Sequence, residues 1–117
     1  MNNYIVKDSL GYTEYYNNTT LEDVKKIIKD KQTKRLADFT KDLETSTKEL
    51  EYFKNKEYDK IKILDRDYFL NRGQAGLDDL ERAIYREIDI NNQRINEYQN
   101  GTPYTIFEER KEENKNE

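Results

Sequence analysis

The sequence predicts a mainly α fold with a minor β part: a long helix and a shorter one folded back as an antiparallel, coiled-coil-like hairpin, with a small β-hairpin at the N-terminus. Three observations carry this expectation. Apolar residues step by three and four from Leu21 onward, no Gly or Pro interrupts residues 20–70, and only Gly11, the Gly73–Gly76 pair and Gly101 with Pro103 punctuate the chain strongly. Only 33% of the chain is apolar while 39% is charged, which suits helices that each bury one stripe better than a thick globule. The length, 117 residues, is that of one domain, expected over 1–107, with a charged and disordered tail over 108–117.

Residues 3–16, NYIVKDSLGYTEYY, read as the β-hairpin. Two runs rich in Tyr, Ile and Val flank DSLG, a tetrapeptide with Asp first and Gly last as a type I turn favours. Thr19 and Glu22 stand at capping-box spacing before Leu21, so the long helix is expected over 20–70. Its seam runs Leu21, Val24, Ile28, then Leu36, Phe39, Leu43, Ser46, Leu50, Phe53, Glu57, Ile61, Leu64 and Tyr68, with a polar gap at Gln32. Thr45, Ser46 and Thr47 are poor helix formers, and a break there is the alternative, giving a three-helix bundle. The second helix is expected over 77–99, on the period Leu77, Leu80, Ile84, Ile88, Asn91, Ile95, Tyr98. Asp78, Asp79 and Glu81 would then lie in its first turn, and Gly101 and Pro103 would end it. Tyr104–Phe107 is a β-prone run placed to join the hairpin as a third strand.

Several chemistries are excluded. The chain has no Cys and no His, which removes disulfides, thiolate or imidazole metal sites and Ser-His or Cys-His dyads. No catalytic residue, metal site or cofactor is assigned. NRGQAG, residues 71–76, lacks the spacing of a phosphate loop and reads as a helix stop and turn. The N-terminus has no Sec-type signal and no run approaches a membrane span, so a cytoplasmic protein without membrane contact is expected, in the host cytoplasm if a phage encodes it. Net charge is −4 with both signs interspersed, which disfavours nucleic acid as a direct partner.

Partner binding is the expected function. A helix over 20–70 would span about 75 Å and one over 77–99 about 35 Å, so the first half of the long helix would be left uncovered. Leu21, Val24, Ile28, Leu36 and Phe39 form that stripe, flanked by Lys25 and Lys29 of a basic cluster that also holds Lys26, Lys31, Lys34 and Arg35. With Tyr12, Tyr15 and Tyr16 of the hairpin they make a surface for a second copy or for another protein, acidic in preference to nucleic acid. Abundant Lys, Asn, Ile and Tyr have AT-rich codons, so the sharpest version is a phage or mobile-element inhibitor or modulator of a host protein such as a defence nuclease. Two alternatives stand beside it: a helical dimer holding a small anionic ligand such as a signalling nucleotide, with Arg72, Arg82 and Arg86 as clamps, and a structural or export-related coiled coil. Tyr104-Thr-Ile-Phe-Glu108 resembles the Tyr-x-x-x-Asp/Glu tail motif of the helical-hairpin proteins exported by type VII systems. Those proteins turn at Trp-x-Gly, whereas this chain turns at Arg72-Gly73 and has no Trp.

Overall fold

In the computed structural model, which describes residues 1–109, the order is β1 (Asn2–Asp8), β2 (Thr13–Thr19), α1 (Leu21–Lys54), a 3-10 turn (Tyr58–Lys60), α2 (Arg66–Leu70), α3 (Gly73–Asn100) and β3 (Tyr104–Glu109). The expectation of a mainly α fold with two long helices and a minor antiparallel sheet holds. The fold has two compact units. Met1–Leu36 with residues 97–109 forms the first, and Ala37–Asn96 the second. Of the expected tail, Glu108 and Glu109 belong to β3, and residues 110–117 lie outside the described residues.

In the first unit the three strands are antiparallel in the order β2-β1-β3. DSLG makes the β1–β2 turn: the Gly11 N–H bonds the Asp8 carbonyl, and the Asp8 carboxylate accepts from the N–H groups of Leu10 and Tyr12 at 2.9 Å each. Tyr4 and Val6 of β1 point inward and bury against Val24 and Ile28 of α1, with Tyr16, Tyr104 and Ile106 packed around them. The sheet therefore covers part of the stripe for which a second chain had been expected. Tyr104 and Ile106 of the third strand extend this cover beyond the hairpin.

Thr20, one residue after the expected cap, begins α1: its Oγ1 accepts from the Asp23 N–H at 3.2 Å, and Glu22 and Asp23 fill the first turn. No break occurs at 44–47. The hydroxyls of Thr45, Ser46 and Thr47 donate back to the carbonyls of Lys41, Asp42 and Leu43, satisfying themselves inside the helix, so the three-helix alternative does not form.

The helix expected to reach residue 70 instead stops at Lys54. Lys56 adopts φ 60, its N–H bonds the Phe53 carbonyl, and the Glu57 N–H reaches back to Tyr52, which together make a Schellman stop with Lys in the position Gly usually holds. The chain then folds over the helix end, because Ile61 is fully buried with Leu80 and Ile84 against Leu50, Phe53, Tyr58, Phe69 and Leu70. Leu64 and Tyr68, expected on the seam, are exposed. Asp65, with φ 67, opens α2. α3 begins at Gly73, four residues early, so Asp78 and Asp79 lie past the first turn, where Asp78 accepts from Gln74 and Asp79 holds Arg72.

Glu49 is 8% exposed in this second unit. Its carboxyl titrates above the usual glutamate range because burial penalises the charge; Glu87 adds repulsion, and the Lys62 backbone N–H opposes both. A raised folded-state value means that the group's favourable contribution is full below the ordinary glutamate range and is lost as pH rises through the folded value. Glu49→Gln keeps an acceptor for Lys62 and is expected to raise the urea midpoint at neutral pH but not below the glutamate range. An equal gain at both pH values would show that charge is not the cause.

Candidate functional site

The first unit gathers most of the residues expected at a partner surface, but divides them between its core and its surface. Val24 is 0% exposed and Ile28 is buried, both under the sheet. Phe39, in the second unit, is also buried, beneath the guanidinium of Arg94 at 5.7 Å from its ring centre. These three are corrected from contact residues to core. Leu36 is half-buried, while Leu21, Lys25 and Lys29 remain on the surface.

Strand alternation sorts the tyrosines. Tyr16 points inward and donates to Glu14, which also receives the Lys31 ammonium. Lys31, with help from Tyr16, holds the Glu14 carboxyl below its ordinary range. Tyr12 is exposed, but its ring lies 5.2 Å from the Arg35 guanidinium. Tyr15 points to solvent at 66% exposure, directly across from Ile5, and Ile5 pairs on its other side with Phe107, which is 47% exposed. Tyr15, Ile5 and Phe107 therefore form a cross-strand apolar row on the outer face of the sheet, flanked by Lys7 at 5.6 Å from the Phe107 ring centre.

Arg35, which in the sequence is one member of the basic cluster, ties this unit together. Its Nη1 meets the Asp8 carboxylate at 2.8 Å and the Tyr98 hydroxyl at 3.2 Å, and the Asp8 side chain is only 4% exposed. Gln32, read as a polar gap, donates to the Tyr98 carbonyl and so satisfies an acceptor in the last turn of α3. No signal in a single sequence pairs Asp8 with Arg35, because their partnership depends on the docking of the turn.

Two adjoining grooves flank α1. One, of about 230 Å³, lies between Lys25, Ile28, Lys29 and Gln32 of α1 and Gly101–Tyr104 with Ile106 of the β3 arm. The other, of about 250 Å³, continues past Lys29 and Gln32 to Thr33, Leu36, Tyr98 and Gln99. Their floor is apolar, from Ile28, Leu36, Pro103 and Ile106, and two lysines one helical turn apart stand at the rim.

The arginines of the ligand alternative lie in the second unit. Arg72 and Arg82 both turn to the Asp79 carboxylate, at 2.9 and 3.5 Å, and Arg72 also stacks over Tyr68. A carboxylate between two arginines offsets the field that an anion would need. Arg86 is exposed. The Tyr-x-x-x-Glu match lies in β3, within the sheet. Among the described residues no helix is long and apolar enough to cross a membrane. Comparison with family models, with curated proteins and with solved structures finds no match to this chain.

Proposed function

We propose that the chain is a small, non-enzymatic protein-binding module that meets its partner through the first unit, with the outer sheet face and the lysine-bearing face of α1 as the contact area. The observation that carries this reading is the row Tyr15–Ile5–Phe107. Large aromatic side chains held rigid by strand pairing, yet left in water, are the kind of anchor that interfaces concentrate their energy on. An isolated exposed aromatic would be ordinary surface, whereas three apolar residues in register across every strand make a continuous patch. The abundance of Lys, Asn, Ile and Tyr, residues whose codons are AT-rich, extends the reading to a phage or mobile-element protein that modulates a host protein. The engagement of Arg72 and Arg82 by Asp79 favours this reading over the anionic-ligand one.

A pulldown with the wild-type chain and a Tyr15→Ala/Phe107→Ala variant as parallel baits tests it. Both side chains are solvent-facing, so the variant is expected to keep its helical circular dichroism while losing a partner that the wild type retains stoichiometrically. A stoichiometric partner retained equally by both baits, or a co-purified ultraviolet-absorbing ligand with no protein, contradicts the proposal.

A further inference from the structure

β3 is an edge strand, and its pairing with β1 fixes the direction in which each of its backbone groups points. Among the described residues Tyr104–Glu109 pairs with β1 alone, with Thr105 opposite Lys7 and Phe107 opposite Ile5. The Ser9 N–H bonds the Pro103 carbonyl at 2.9 Å, which makes Ser9–Pro103 a bonded pair of this ladder. The Asp8 N–H bonds the Tyr12 carbonyl, on the opposite side of β1. Bonded and non-bonded pairs alternate along an antiparallel ladder, so Thr105 and Phe107 bond to β1. The N–H and C=O groups of Tyr104, Ile106 and Glu108 therefore face outward, away from every other strand.

The groove of about 230 Å³ opens beside this edge, because Tyr104 and Ile106 line it together with Lys25, Ile28 and Lys29. An unpaired strand edge, an apolar trough and a helix standing beside it are the parts that receive an extended peptide as an added strand: backbone bonds supply affinity, and alternate side chains enter the trough. Charge selects among such peptides. Lys25 and Lys29 have no ion-pair partner among the described residues, whereas the nearby Lys31 and Arg35 are taken up by Glu14 and Asp8. Two ammonium groups side by side at the rim favour a segment bearing carboxylates.

We infer that the β3 edge and the α1 face bearing Lys25 and Lys29 bind an extended acidic segment of another protein as a fourth strand, its apolar side chains entering the trough over Ile28 and Ile106. This rests on the protein-binding reading and adds the chemistry of the partner.

A fluorescein-labelled, end-capped decapeptide of alternating valine and glutamate, titrated with the full chain and followed by anisotropy, tests the inference; an alternating valine–lysine peptide is the control. The acidic peptide is expected to bind and the basic one to bind at least about tenfold more weakly. Lys25→Glu/Lys29→Glu, at exposed positions, is expected to weaken the acidic peptide by about tenfold or more while leaving circular dichroism unchanged, as two reversed charges at a rim would. Equal affinity for both peptides, an unaffected lysine variant, or no binding at millimolar concentration would overturn the inference. So would sedimentation showing a dimer that dissociates in Ile106→Pro, a substitution that removes an outward N–H, since the edge would then belong to a second copy. Tyr15→Ala/Phe107→Ala leaves this edge intact, so loss of the pulldown partner in that variant with no peptide binding would sink the inference alone.

Discussion

Gly76→Ala is expected to destabilise the chain by about 3 kcal/mol, against about 1 kcal/mol for Gly73→Ala, although both replace glycine with the best helix former in the same hexapeptide. At Gly76 a Cβ would stand 1.8 Å from the Phe69 carbonyl oxygen and 2.8 Å from the Arg72 Cβ, so backbone must move. At Gly73 it would meet nothing within 4 Å, and the cost comes only from its φ of +67. The glycine at 73 lets the chain reverse, while the one at 76 lets the end of α2 rest on the first turn of α3, ahead of Leu80 and Ile84 in the second unit's core. Urea midpoints of the two variants measure the difference. Equal losses would mean that the loop needs flexibility at both positions and close packing at neither.

Arg35→Met should lower stability by about 3 kcal/mol, because it strands the Asp8 carboxylate, which is 4% exposed, without its cation. The figure lies at the low end for a broken buried pair, since the Leu10 and Tyr12 N–H groups still serve Asp8 and Arg35 is itself a quarter exposed. Adding Asp8→Asn should restore part of the loss, giving a favourable coupling in a double-mutant cycle. If Arg35→Met costs under about 0.5 kcal/mol, as a surface ion pair would, the turn is not held by this contact. The consequence for function is positional: the Asp8–Arg35–Tyr98 clasp ties the β1–β2 turn and the end of α3 to α1, in the unit that carries the trough beside β3.

The helical seam was legible as far as Phe53 because it depends on local spacing. The end of α1 was not, because Lys56 occupies a left-handed position that normally announces itself with Gly, and the chain turns there to bury Ile61. Polar exceptions in the seam carried more information than their residue types disclose. Gln32 serves Tyr98, and Ser46 bonds back within its own helix. The surface proposed for the partner was half legible. Lys25 and Lys29 stand where the spacing put them, yet Val24 and Ile28 are core, because the inward side chains of the three-stranded sheet pack on them, and helical spacing alone does not say what covers a stripe. The row Tyr15–Ile5–Phe107 is completed by pairing Phe107 of β3 with Ile5 of β1, 102 residues earlier in the sequence, a register that no local pattern encodes.

Residue-resolved amide hydrogen exchange along β3 tests the account most directly. In the free chain slow exchange is expected at Thr105 and Phe107, which bond to β1, and fast exchange at Tyr104, Ile106 and Glu108, which become protected when the valine–glutamate peptide is added. Uniform protection of all five amides without peptide would contradict it, because the edge on which the proposed partner strand depends would already be closed.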